Sequence, residues 1–180
     1  MRQRPVDAAA LERAARRYLE TRFTSRAWLK QLLMRRVDQS IAVHGGDRRM
    51  LEEAADQVLD RLEAAGSLDD AAYARGKARS LVRRGVSAPV MRARLAGKGL
   101  GEGDVREALS AVAEEAGGDP SWAAACAYVR RRRFGAYRGE GRRDARGRDL
   151  AAMARAGFSF ALAARALDAS VEDLEESLLA

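Results

Sequence analysis

Apolar residues recur at helical spacing along almost the whole chain. Trp28, Leu29, Leu32 and Leu33 share one helical face, and so do Leu51, Ala54, Ala55, Val58, Leu59 and Leu62. Ala74, Ala78, Leu81 and Val82 form another stripe, and Trp122, Cys126 and Val129 a further one. No alternating β-branched run is long enough for a strand. The pattern predicts an all-α protein of about nine to ten helices, near residues 8–22, 25–36, 47–65, 69–84, 87–97, 102–115, 120–134, 142–156, 159–167 and 170–179. Aromatic residues make up only 6% of the 180, so Ala, Leu and Val must fill a thin core.

Capping chemistry punctuates these stretches. Pro120 follows Asp119 as a first-turn proline after an N-cap, and Ser87 precedes Pro89 in the same sense. Ser67 with Asp70 reads as a capping box, with Asp69 and Asp70 at the positive end of the helix dipole and Tyr73 as a packing anchor. Ser170 and Asp173 repeat the spacing. Gly66, Gly85, Gly99, Gly117 and Gly157 fall where helices should stop. Val37–Gly46 and Gly135–Gly147 read as loose linkers.

Ser25, Ser87 and Ser159 can be placed in register. Leu19, Leu81 and Met153 then lie six residues before, Trp28, Val90 and Leu162 three after, and Leu33, Leu95 and Leu167 eight after. Charge follows the same period. Residues 71–101 carry eight cations and no acid, and residues 120–148 sum to +7. Residues 52–70 sum to −6, 102–119 to −5 and 149–180 to −4. The expected organisation is a flexible N-terminus at 1–7 and three tandem three-helix repeats. They span 8–66, 67–118 and 119–180, the last with an extra connecting helix and a basic glycine-rich loop. Such arrays are elongated, and a repeating charge pattern suits a repeating partner.

The candidate interaction residues come from the two basic blocks. The first holds Arg75, Lys77, Arg79, Arg83, Arg84, Arg92, Arg94 and Lys98. The second holds Arg130, Arg131, Arg132, Arg133, Arg142 and Arg143. They would contact phosphates or an acidic protein surface, or else form a solvated face neutralised by the acidic helices. Tyr128, Phe134 and Tyr137 interleave with the arginines and would stack on bases or belong to the core. Trp28 and Trp122 read as core residues.

Several chemistries are excluded. With one cysteine, Cys126, and one histidine, His44, no disulfide forms within the chain and no Cys/His zinc site exists. Cys126 reads as a buried small hydrophobe, and His44 as solvated in a glycine-bounded loop. Gly97-Lys98-Gly99 lacks the surroundings of a phosphate loop, and no nucleophile–base pair is visible. The expectation is no enzyme, no cofactor and no metal. The uncharged runs Ser121–Val129 and Ala156–Ala164 are far below the roughly 18 residues a membrane span needs. The N-terminus does not read as a signal peptide, and one cysteine suits a cytoplasmic protein.

The segment Ala65-Gly66-Ser67-Leu68-Asp69-Asp70-Ala71-Ala72-Tyr73-Ala74, then Arg84-Gly85-Val86-Ser87, then Leu95-Ala96-Gly97-Lys98-Gly99-Leu100, resembles the RecX family. Arg132-Arg133-Phe134-Gly135-Ala136-Tyr137-Arg138 and Arg155-Ala156-Gly157-Phe158-Ser159 are similar to that family too, and Ala14–Leu33 fits its first repeat. The likeness covers about residues 10 to 168. One departure is that Val37–Gly46 lacks the lysine-glycine ending seen at Lys98-Gly99.

The resemblance implies a monomeric, non-enzymatic regulator of recombination and repair. Its partner would be the RecA–single-stranded DNA filament, in whose groove it would lie, inhibiting ATP hydrolysis, strand exchange and filament extension. Arg84, Arg94 and Lys98 are the positions it implicates in the central unit. The alternative is a sequence-independent helical protein that binds single- or double-stranded DNA through phosphates.

Overall fold

The computed structural model describes residues 4–115 and 119–179. Among these the chain is helical without strands. The helices are α1 (Ala8–Leu19), α2 (Arg26–His44), α3 (Arg48–Ala64), α4 (Asp70–Arg83), α5 (Ala88–Ala96), α6 (Glu102–Glu115), α7 (Pro120–Arg132), α8 (Arg142–Arg155), α9 (Phe160–Asp168) and α10 (Val171–Leu179). A 3₁₀ turn covers Gly135–Tyr137.

Two compact units are present. The first comprises residues 1–73 with Lys98–Leu100; the second comprises Ala74–Gly97 and Gly101–Ala180. In the first, α3 packs on both α1 and α2. Its core joins Leu11 and Ala15 of α1, Leu29, Leu33, Met34 and Val37 of α2, and Ala55, Val58, Leu59 and Leu62 of α3, closed by Leu68. In the second, α7 packs against α6, α9 and α10. It buries Ala124, Ala125, Cys126, Ala127 and Val129, and its small residues allow close approach.

The predicted caps are largely in place. Ser25 and Ser159 accept from the amides of Trp28 and Leu162, each at 3.3 Å. Asp119 accepts from Ser121 ahead of α7, and Ser170 and Asp173 form the reciprocal box before α10. Ser87 holds the N-cap position, but its hydroxyl donates to the carbonyl of Ala156 at 2.6 Å. Likewise the Ser25 hydroxyl donates to the carbonyl of Lys98 at 2.5 Å. These serines therefore join elements far apart in sequence.

Two glycines are required for packing. Gly85 has φ +66°, and a Cβ there would stand 2.4 Å from the Tyr128 backbone nitrogen. Gly99 has φ +74°, and its Cβ would meet the Ala27 Cβ at 2.2 Å. Both positions need a residue without a side chain. Gly117 lies outside the described residues.

Three expectations are corrected. Val37–Gly46 is not a linker: α2 runs on to His44, because Val37 is fully buried in the first core. His44 thus ends a helix, though it is exposed as expected. The Gly135–Gly147 linker shrinks to residues 138–141, between the 3₁₀ turn and α8. The cap of α4 is Asp69, which accepts from the Ala72 amide at 2.8 Å, and not Ser67. The Ser67 amide instead donates to Leu62 and helps close α3. At the N-terminus, Val6 donates to the Ser40 hydroxyl and Asp7 caps α1.

Candidate functional site

The basic residues divide into those engaged within the protein and those pointing away from acids. In the second unit, α4 carries Arg75, Lys77, Arg79 and Arg83, with Arg84 just beyond it, and α5 carries Arg92 and Arg94. Arg79 donates both ends of its guanidinium to Glu115 of α6. That hydrogen bond, with the charges of Arg79 and Arg75, holds the Glu115 carboxyl below its usual range. Among the described residues, Arg83, Arg84, Arg92 and Arg94 have no carboxylate at ion-pair distance, and all four are exposed. Arg92 also lines an open groove of about 830 Å³ with Pro89, Ser121, Phe158, Leu162 and Arg165.

The second block behaves differently. Arg130 pairs with Glu175 of α10 at 3.1 Å. Arg131 lies over the Tyr128 ring and Arg132 over Phe134, with the guanidinium carbon 5.5 Å from each centroid. Arg142 donates to the Leu167 carbonyl at 2.7 Å, satisfying the C-terminal end of α9. Arg133 and Arg143 are exposed. Arg133 sits in the left-handed region at φ +54°, the one non-glycine there among the described residues. Lys98 belongs to the first unit, with its ammonium 4.0 Å from the Trp28 centroid.

The aromatic residues are not open stacking platforms. Phe134 is buried, edge-on to Tyr128, which in turn meets Phe158. Tyr137 donates to Glu175; burial and that bond push its hydroxyl up to about 12. Trp28 and Trp122 are half-buried rather than core, each with a cation 4.0 Å from its ring. Cys126 is fully buried, and desolvation pushes its thiol up to about 11. Tyr73 is buried edge-on to Phe23, and the Asp70 carboxylate accepts from the Arg26 amide at 2.7 Å at the start of α2.

Two features escaped the sequence. Asp149 is a buried carboxylate held by Arg138 at 2.7 Å. In the first unit, Arg13, Arg17, Arg22 and Arg36 line one groove. The i, i+4 spacing of Arg13 and Arg17 was the available signal, hidden because Glu12 and Glu20 interrupt the run. No cluster of three or more His, Cys, Asp or Glu could hold a metal among the described residues. No helix among them is long and apolar enough to cross a membrane.

The arrangement is that of an all-helical protein with arginine-rich faces, the fold of a solved structure described as the regulatory protein RecX. That structure has a TM-score of 0.58 and 19% identity, covering 94% of this chain and 81% of the other. Sequence carries the kinship further. The chain is 36% identical over 171 residues to the regulatory protein RecX of Myxococcus xanthus (strain DK1622), covering 94% of this chain and 90% of the relative. The chain belongs to the RecX family. No protein-family model matches it.

Proposed function

We propose that this protein regulates the RecA recombinase by binding the RecA–single-stranded DNA filament. Binding would inhibit ATP hydrolysis, strand exchange and filament extension in recombination and repair. The observation that carries this reading is the 36% identity, over 94% of the chain, to a regulatory RecX protein. The exposed arginines Arg83, Arg84, Arg92 and Arg94, with no carboxylate at ion-pair distance among the described residues, support it as the contact face for acidic or phosphate groups on the filament. The protein acts here as a cytoplasmic monomer without catalysis. Each of three tandem repeats, at 8–66, 67–118 and 119–180, would add a weak contact, and linked weak contacts sum through effective concentration. A bound regulator shifts the filament's conformational equilibrium only by its differential affinity for the competing states.

The acidic helices fit this reading as neutralising elements. Glu115 of α6 and Glu175 of α10 each pair with one arginine of a basic helix beside them, Arg79 and Arg130, while Arg83 and Arg84 stay exposed. Co-sedimentation with RecA filaments assembled on single-stranded DNA with a non-hydrolysable ATP analogue tests it. Saturable recovery with the filament, and far less with the DNA alone, is expected. Equal recovery with bare DNA would favour the rival reading, a sequence-independent nucleic-acid binder.

A further inference from the structure

An open groove of about 830 Å³ lies within the second unit, and three helices supply it. Pro89 and Arg92 come from α5, Phe158 stands just ahead of α9, Leu162 and Arg165 lie on α9, and Asp119 caps α7.

Its cations have acceptors to gain. Arg92 and Arg165 are exposed, and among the described residues neither has a carboxylate at ion-pair distance. Glu115, Glu175 and Asp168 of the same unit are committed elsewhere, to Arg79, Arg130 and Arg146. Asp119 does line the groove, but its carboxylate accepts from the Ser121 amide at 2.8 Å as the cap of α7. Arg165 lies over Trp122, its guanidinium carbon 4.0 Å from the ring centroid. Stacking of that kind orients the planar guanidinium while its N–H edge stays open to a carboxylate.

Much of the remaining lining is apolar. Phe158 is buried, Leu162 half-buried and Pro89 exposed. Phe160, between the lining residues Ser159 and Ala161 in sequence, is 73% exposed, more than Val43, Met50 or Phe23. Arginine without an ion pair, beside aliphatic and aromatic surface, is the composition of a protein-binding patch, where a few anchors carry the affinity. A phosphodiester chain fits worse. It asks for a run of cations, and this groove offers two, with a carboxylate on its lining. We propose that the groove docks an acidic protein segment bearing a leucine or aromatic anchor. The anchor packs on Pro89, Phe158 and Leu162, and the segment's carboxylates bridge to Arg92 and Arg165. Docking here needs no RecA, and so goes beyond the filament reading.

The test is fluorescence anisotropy with the full chain, without RecA, at about 0.15 M salt, where screening confines charge effects to about 8 Å. The probe is a short labelled peptide of glutamates around leucine and phenylalanine; its comparison has serine in place of the apolar residues. The apolar peptide should bind at least about tenfold more tightly, through burial of a large side chain. Arg92→Ala/Arg165→Ala should weaken it about threefold or more, as the loss of two exposed ion pairs requires. Arg106→Ala/Arg148→Ala removes equal charge from exposed positions of the same unit outside the groove, and should bind within about twofold of the unaltered protein. Should the groove variant lose its far-UV circular dichroism, Arg92→Glu alone carries the test, with a loss of similar size. Absence of peptide binding, equal binding of the serine peptide, or an equal loss in the Arg106→Ala/Arg148→Ala variant would each overturn the assignment. Displacement of the peptide by an oligothymidylate of matched charge would overturn it too, and would make the groove a phosphate seat. Because RecA is absent, failure here leaves the filament reading standing, and failure of that reading leaves the groove.

Discussion

Gly66 and Gly85 end α3 and α4 in the same way, and alanine should affect them very differently. Their φ values are +67° and +66°. The hydrogen bonds match as well: Gly66 and Ser67 donate to Glu63 and Leu62, while Gly85 and Val86 donate to Val82 and Leu81. Moving an L-residue into this region costs about 1–2 kcal/mol, offset by about 0.4–1 kcal/mol from the stiffer unfolded chain. That balance applies to both. A Cβ on Gly66 meets nothing within 4 Å, but on Gly85 it meets the Tyr128 nitrogen at 2.4 Å and its Cα at 2.7 Å. Those are backbone atoms of α7 and cannot rotate aside, so overpacking adds about 1–3 kcal/mol or more. Gly66→Ala should therefore cost about 1 kcal/mol and Gly85→Ala about 2–4 kcal/mol. Gly141→Ala, at φ +75° in open space in the same unit as Gly85, should follow Gly66→Ala. Urea unfolding monitored at 222 nm reads the difference. Equal losses in all three variants would refute the close approach of α4 to α7.

Asp70→Ala should lower stability by about 0.5–2 kcal/mol in thermal melts, since it removes the acceptor for the Arg26 amide at the start of α2; Asp70→Asn should restore most of it. Replacing Asp69 as well should add a similar loss at α4, and unchanged melting of the double variant would contradict both roles. Arg133→Gly should stabilise the protein by about 1 kcal/mol by relieving the left-handed backbone; lower stability would mean that the side chain has a contact that outweighs the strain. Glu115 and Asp168 are held below their ordinary values chiefly by hydrogen bonds from Arg79 and Arg146. Their contribution to stability is present above the usual carboxylate range and fades as pH falls through the lowered values. Arg79→Met/Arg146→Met should accordingly show a shallower loss of melting temperature between about pH 5 and 2, and a parallel curve would argue against the pairs.

Helix identity was legible because each stretch carries its own apolar face and cap. Pro120 after Asp119, and Ser25 and Ser159, mark starts that their own side-chain caps support, while Ser87 holds its N-cap position with its hydroxyl spent on Ala156. Local chemistry misleads where a distant partner decides. Asp38, Gln39 and Ser40 look like linker residues, yet Val37 and Ile41 pack on the first core and carry α2 through them. Ser67 has the composition of a cap, but closing α3 through its amide leaves the start of α4 to Asp69. The site divides in the same way. The acid-free stretch is legible as a run of cations, and four of its arginines have no carboxylate at ion-pair distance among the described residues. That Arg142 would satisfy carbonyls of Leu167 and Ala169, or Arg79 meet Glu115, depends on contacts 25 to 36 residues away. Net charge along the chain likewise concealed the groove arginines, because on α1 the interrupting Glu12 turns to Arg16 and Arg61 instead.

The regulatory claim rests most directly on RecA's hydrolysis of ATP on single-stranded DNA, with this protein titrated from far below to equal stoichiometry. A dose-dependent fall that begins below one protein per RecA is expected. Arg83→Ala/Arg84→Ala/Arg92→Ala/Arg94→Ala, with its helicity intact, should need a markedly higher dose. Hydrolysis left untouched at equimolar protein would contradict the proposed function, and equal potency of the fourfold variant would remove its arginines from the contact.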